Sequence, residues 1–293
     1  MLGQPIRKND EVSVLYLSYR PGPPLDEFVD YFWLIEGGQV PQLEKIIPSG
    51  TIELVVNLKD DKIHIHDPEE PRFYQQFAGV VFSGTYSRPF ICNALQHESI
   101  MGVHFKPGGA FPFLEIGADE LANAHANLAD LWGRPGLELR ERLCAPATSE
   151  QRFAIMERAL TNRLHAETHT TLRLQVRSAV RMLATGGDGV KVRNVSQELG
   201  FSPRRFIQIF RSHVGLAPKV FSRIQRFQQA RVLAETLDAP DWADLALTCG
   251  YFDHAHLIND FKEFSGSTPR IYSVQLHDKN DRLKENHVPL QVR

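Results

Sequence analysis

Near its C-terminus the chain states one pattern twice. Leu199-Gly200-Phe201 leads to Phe206, Phe210, Gly215 and Pro218; Cys249-Gly250-Tyr251 leads to Leu257, Phe261, Gly266 and Pro269. Phe210 and Phe261, Gly215 and Gly266, and Pro218 and Pro269 are each 51 positions apart, whereas Gly200 and Gly250 are 50 apart. One extra residue therefore falls in the turn after the second glycine. Each copy reads as a helix, a glycine turn and a second amphipathic helix, the helix-turn-helix pattern. Such a stretch is constrained to an all-helical fold in which each unit buries one apolar face.

In the first copy Asn194 is the expected helix cap, with Gln197 three residues on to complete a capping box. Ser196 supplies the small side chain at the tight contact, and Gly200 supplies the turn. Ser202 then caps the second helix, with Pro203 at its first position, where a missing N–H costs nothing. Phe206, Ile209 and Phe210 share the buried face, which leaves Arg204, Arg205, Gln208 and Arg211 elsewhere. In the second copy Asp241 is the expected cap, Trp242 and Leu245 are core, and Ala246 is the small residue. Leu257, Phe261 and Phe264 pack inward, leaving His254, Ala255, His256 and Asn259 outside. Between the copies a helix from about Pro218 to Ala234 points Val220, Phe221, Ile224, Phe227 and Val232 to the core. At 1.5 Å per residue it spans roughly 25 Å.

Charge localises the same region. The net charge over 293 residues is only −2. Yet Lys191, Arg193, Arg204, Arg205, Arg211, Lys219, Arg223, Arg226 and Arg231 face Glu198 alone between positions 191 and 231. Positions 232 to 275 carry seven acids against Lys262 and Arg270. A basic first half and connecting helix suit a phosphate backbone, and the acidic second half adds less affinity. Arginine and glutamine pair with guanine and adenine edges in the major groove, and Asn259 also suits adenine. His254 and His256 bind better when protonated, which implies weaker binding at higher pH.

The first ~115 residues change the period. Val12–Leu17, Ile52–Leu58, Lys62–His66, Gly79–Phe82, Phe90–Leu95 and Ile100–Phe105 read as short strands separated by Pro- and Gly-containing turns, with one helix expected near Leu25–Tyr31. Helices follow over Ala118–Leu131, Leu137–Leu143, Gln151–Leu164 and Leu172–Leu183. The expected architecture is a β-rich N-terminal barrel or sandwich, cupin-like as one form, over residues 1–145. A helical linker over 146–170, an all-α domain with two helix-turn-helix units joined by a linker helix over 171–275, and a polar, loosely docked tail over 276–293 complete it. No apolar run reaches the ~18 residues of a membrane span, and no basic-then-apolar leader opens the sequence. Cys92, Cys144 and Cys249 are scattered and odd in number, which fits a reducing cytoplasm rather than a disulfide framework.

The duplicated stretch resembles the DNA-binding domain of the AraC family of bacterial transcription regulators. The landmarks are Leu199-Gly200-Phe201-Ser202, Phe206-x3-Phe210-x4-Gly215-x2-Pro218, Arg226-Phe227-x2-Ala230 and Gly250-Tyr251-x5-Leu257-x3-Phe261-x4-Gly266-x2-Pro269-x2-Tyr272. The resemblance covers about 100 residues, Leu172 to Tyr272. It implies that the second helix of each unit enters the major groove, so Arg204, Ile207 and Gln208, then His254, Ala255, His256 and Asn259, inherit base reading; Arg205 and Arg211 join them as DNA contacts. Gln208 and Asn259 stand where many members carry arginine, and Asp260 adds a negative charge beside the second reading surface. The N-terminal part resembles an uncharacterised module of a family subgroup through Tyr19-Arg20-Pro21, Tyr31-Phe32-Trp33, Ile47-Pro48-Ser49-Gly50 and Gly102-Val103-His104-Phe105-Lys106-Pro107-Gly108. The resemblance implies a cytoplasmic, sequence-specific regulator whose partners are double-stranded DNA, RNA polymerase, a small-molecule effector and a second copy of the chain.

Two other chemistries compete with this reading. His64-x-His66-x3-Glu70 has the spacing of a cupin metal motif, but the upstream glycine and a second downstream histidine motif are missing, so no metal or cofactor is expected. Cys92 or Cys144 as a redox thiol or alkyl acceptor lacks a basic neighbourhood to lower its pKa. The alternative of a metal-dependent or cysteine-acceptor enzyme with a DNA-targeting domain is therefore set behind a regulator with no catalytic residue.

Overall fold

The computed structural model describes residues 15–37, 43–93, 98–164, 170–186, 190–237, 240–277 and 287–289. Strands β1 (Leu15–Tyr19), β2 (Val29–Glu36), β3 (Leu43–Ile46), β4 (Glu53–Asn57), β5 (Lys62–His66), β6 (Tyr74–Ala78), β7 (Val80–Ser83), β8 (Phe90–Asn93), β9 (Ser99–Phe105) and β10 (His125–Asn127) come first. Helices follow: α1 (Leu128–Trp132), α2 (Arg134–Cys144), α3 (Ser149–Thr161), α4 (Thr170–Thr185), α5 (Val192–Glu198), α6 (Pro203–Val214), α7 (Pro218–Glu235), α8 (Trp242–Thr248), α9 (His254–Ser265) and α10 (Pro269–His277). A short strand β11 (His287–Pro289) pairs back onto β3.

The strands form two antiparallel sheets, ordered β1-β2-β9-β4-β7-β10 and β11-β3-β8-β5-β6. The N-terminal domain is thus a sandwich of two open sheets and not a closed barrel. Period-2 alternation assigns the two faces of β2. Phe32 and Leu34 enter the main core with Leu54, Phe82, Val103 and Phe105, while Trp33 and Ile35 join Ile100 in a separate cluster on the opposite face. Being buried on both faces, β2 presents an unbroken apolar run with no alternation to read. The helix expected at Leu25–Tyr31 after the proline-rich entry is instead one 3₁₀ turn (Leu25–Glu27) followed by a strand. Likewise Ala118–Leu131 is no single helix; it divides into a 3₁₀ turn at Ala118–Leu121, β10 and α1.

Helices α1 to α3 complete the first core through Leu128, Trp132, Leu139, Leu143, Phe153, Met156 and Leu160. α3, expected within a linker, is therefore part of the N-terminal packing. The second core gathers α4 to α10 around Phe206, Phe210, Phe221, Phe227, Phe261, Phe264 and Tyr272. One N-terminal residue, Ile47, is buried in this second core. Next to it Gln225 Nε2 donates to Ser49 O at 2.8 Å and Gln228 Nε2 to Pro48 O, so the Ile47–Gly50 turn straps the middle of α7. Further contacts dock the two domains: Phe111 stacks on His213 with ring centres 3.9 Å apart, and Lys45 Nζ donates to Ser265 O at 3.1 Å.

Candidate nucleic-acid interface

Atomic detail repeats in the two helical units. Phe201 N donates to Ser196 O at 2.8 Å, and Tyr251 N to Ala246 O at 2.9 Å, closing equivalent turns around Gly200 (φ 76°) and Gly250 (φ 75°). These positive φ angles are the conformation a side chain with a Cβ resists. Ser196 and Ala246 are both fully buried, as a small-residue contact requires. One residue later the offset between copies changes. Ser202 Oγ accepts from Arg205 N at 3.3 Å, while Asp253 Oδ1 accepts from His256 N at 2.8 Å. The inserted residue is thus Phe252, and its ring is 81% exposed at the entrance to α9. Counting alone located the insertion in the turn; only the caps identify which residue it is.

The caps differ from expectation at one end. α5 begins after Lys191, not at Asn194, and no side chain caps it. Asp241 does cap α8, accepting from Ala243 N at 2.9 Å and Asp244 N at 3.3 Å. Ser202 and Asp253 cap the two second helices.

On α6, Arg204, Arg205, Gln208 and Arg211 are exposed, and Ile207 is 38% exposed despite being aliphatic. Arg205 Nη1 donates to Gln208 Oε1 at 3.1 Å, which orders the amide. On α9, His254, Ala255 and Asn259 are exposed. His256 is not on that outward face. It is half-buried, with Nε2 3.3 Å from Arg226 Nη2 and its ring edge-on to Tyr251.

The charge pattern also resolves differently in three dimensions. Arg226 and Arg231 are 4% and 3% exposed. Asp260, fully buried, receives Arg223 Nη2 at 2.7 Å and Nε at 3.1 Å, and Arg226 Nη2 lies 3.4 Å from its other oxygen. Arg223 also bridges Glu263, and Arg231 pairs with Glu235. Burial pulls the Arg223 guanidinium down, but the hydrogen bonds it donates to Glu263 and Asp260, with their charges, outweigh it and leave its pKa raised. Arg226 lies over the Tyr251 ring at 4.3 Å, and burial first, then the Asp260 charge, raises the Tyr251 phenol. Asp260 is therefore an internal clasp between α7 and α9, not a charge beside the reading surface. The connecting helix is basic in sequence but gives Arg223 and Arg226 to the second unit's acids and pairs Arg231 with its own Glu235. Lys191, Arg193, Arg204, Arg205, Arg211 and Lys219 remain exposed.

The residues of the competing chemistries take these positions. Glu70 is tied to Arg72, and His66 Nδ1 lies 2.6 Å from Pro71 O. Among the described residues no cluster of three or more His, Cys, Asp or Glu is placed to hold a metal. Of the two candidate cysteines, Cys92 is buried, and Cys144 is half-buried with its Sγ 3.5 Å from Leu58 O.

With this geometry in hand, comparison with known proteins separates the two domains. Residues 195–274 match a family described as a helix-turn-helix domain. The C-terminal domain is a helix-turn-helix domain. Residues 17–127 match a domain of unknown function, DUF6597, which coincides with the two-sheet sandwich. Over 79 residues, 26% of the chain, it is 35% identical to a probable bifunctional transcriptional activator/DNA repair enzyme AlkA from two strains of Mycobacterium tuberculosis. That match spans only 15% of the relatives' length. The structure of unsaturated fatty acid-bound wild-type ToxT from Vibrio cholerae overlaps 94% of this chain and 100% of its own at 11% identity and a TM-score of 0.43. Another ToxT structure gives 9% identity and 0.39 over 90% and 98%. No described helix is long and apolar enough to cross a membrane.

Proposed function

We propose that the chain is a sequence-specific DNA-binding transcription regulator in which α6 and α9 enter successive major-groove segments. The observation that carries this reading is the repeated atomic framework. Two units share the same turn hydrogen bond, the same small-residue contact and a capped second helix whose polar residues face water. The 18 residues of α7 hold them apart by about 27 Å, against roughly 34 Å between major-groove segments on one DNA face.

Arg204 and Gln208 read base edges, with His254 and Asn259 as their counterparts in the second unit; Ile207 and Ala255 offer apolar contact to thymine methyl groups. Arg205 and Arg211 bind phosphate. The regulator works in the cytoplasm, engages RNA polymerase, and uses its N-terminal sandwich to answer a small-molecule effector and to pair with a second copy.

The test is a binding selection from randomised duplexes with the full-length protein, followed by titration of the enriched site at two salt concentrations. Arg204→Ala is expected to cost about 1–3 kcal/mol at its own base pairs and to relax preference there. Arg211→Ala is expected to weaken all sequences alike and to reduce the salt slope by about 1. Equal losses on selected and random DNA for Arg204→Ala would remove it from base reading; no enriched motif would remove the reading as a whole.

A further inference from the structure

The two cores also meet around α4. A cavity of about 760 Å³ opens there between α4 and the N-terminal domain's 106–112 segment. Its apolar lining includes Phe28, Phe111, Val176 and Val180. One wall carries Arg173, Arg177 and Arg181. They lie at i, i+4 and i+8 of one helix, hence on one face, with about 6 Å of rise per step. Lys106 and Arg163 line it as well, and the acids are Asp26 and Glu27, so five cations face two carboxylates.

Several of these charged groups already have partners. Lys106 Nζ donates to Asp26 O at 2.6 Å; Arg163 pairs with Glu115 and lies over the Trp132 ring. Glu27 shows how the arginine row takes an oxyanion. Its Oε2 lies 3.1 Å from Arg173 Nη2 and 3.9 Å from Arg177 Nη1, while Arg173 also lies over the Phe28 ring. Arg177 and Arg181 remain exposed at the opening.

We propose that this cleft binds a small amphiphilic organic anion, an apolar or aromatic body bearing an oxyanion such as a carboxylate or phosphate. A concave, largely apolar site of this volume suits a ligand of that size. The planar guanidinium fork matches an oxyanion's two oxygens better than a point charge does. The excess of cations selects against neutral and cationic bodies of the same shape. The walls belong to different domains: Phe28 sits in the first core and Val176 in the second. A bound molecule therefore touches both at once and shifts the balance between docked and undocked arrangements by its differential affinity for them. Calling the molecule an effector rests on the regulator reading above; the existence of the site does not.

The experiment uses the full-length protein and two fluorescent probes of similar shape, anionic 1-anilinonaphthalene-8-sulfonate and neutral N-phenyl-1-naphthylamine. Saturable binding of the anionic probe at one site per chain is expected. Its affinity should fall at least tenfold in the Arg177→Ala/Arg181→Ala double variant, while the neutral probe changes less than twofold. Equal affinities of the anionic probe for wild type and the double variant, or no saturable binding, overturn the site. Titration of a selected DNA duplex with and without saturating anionic probe then addresses coupling, with a change of threefold or more expected. Probe binding with unchanged DNA affinity overturns the effector role and leaves the site standing. Intact DNA selection without probe binding overturns the site and leaves the regulator reading standing.

Discussion

Replacing Asp260 with alanine separates the two accounts of that residue. Asp260 is 0% exposed and receives hydrogen bonds from both Arg223 and Arg226. The two arginines lose different amounts. Arg223 is partly exposed and keeps Glu263 at 2.5 Å, so its share is on the order of 0–1 kcal/mol. Arg226 is 4% exposed, and the carboxylate it faces is the one removed. Stripping one partner from a buried pair costs about 3–5 kcal/mol, because the remaining charge stays out of water. The 3.4 Å separation from Arg226 places the expected loss near the lower end, about 3 kcal/mol. Against a typical domain stability of about 5–15 kcal/mol this is a large fraction.

Urea is the suitable denaturant, since guanidinium chloride would screen the charges under study. With slopes of about 1–3 kcal/mol per molar, the helical transition should move down by roughly 1–3 M. Asp260→Asn, which keeps an oxygen acceptor but no charge, should lose less. DNA titration gives the opposing prediction. A negative charge beside the reading surface would make Asp260→Ala bind DNA more tightly, whereas an internal clasp gives no gain. A stability loss below about 1 kcal/mol together with tighter DNA binding would refute the clasp.

Two further perturbations test the domain junction and the sandwich. Gly50 has φ +81°, and a Cβ there would meet Gln225 Nε2 at 2.8 Å and the buried Phe221 ring at 3.2 Å. Gly50→Ala should destabilise the strapped arrangement by about 1–3 kcal/mol; hydrogen exchange of α7 reads the loosening, and wild-type protection would contradict the strap. His125 is half-buried among Phe77, Tyr86 and Phe90, with both ring nitrogens out of solvent, and burial lowers its pKa to about 3. Because the folded value lies below the unfolded value of about 6.5, the folded state binds fewer protons, so stability is lost as pH falls from that unfolded value toward 3. Between pH 7 and 5 this loss is at most about 2 kcal/mol, and His125→Phe should abolish it in paired urea titrations. An identical pH dependence in the variant would show that His125 protonates freely in the fold.

Much of the C-terminal domain was legible because its signals are local. A glycine turn, a small residue and a cap act within a few positions, and the apolar period identifies the buried face of α6 and α9 without any partner. The duplication supplied an internal check, since two copies must satisfy the same geometry. Legibility failed where a residue's role depends on a distant one. Arg223, Arg226 and Asp260 read as opposing surface charges because positions 34 and 37 apart in sequence gave no sign of contact. His256 read as outward because its period fits, but Arg226 and Tyr251 draw it in.

The sandwich shows the same division. β4, β5, β7, β8 and β9 were legible as short apolar, β-branched runs between turn residues, even where, as in β7 and β9, both faces are buried; β2 and the exposed edge strand β6 were not. The short strands β3, β10 and β11 are fixed mainly by what they pair with. Ile47-Pro48-Ser49-Gly50 stood out in sequence without a purpose, and only the docked domains show it strapping α7. The sequence by itself determined the two helix-turn-helix units, the β-rich first half and the exposed arginines of α6, since each follows from short-range periodicity and backbone preference. The tertiary structure alone decided which charges cancel, which turn joins the domains and where a cationic cleft opens, because burial and Coulomb pairing depend on distance in space and not on distance along the chain.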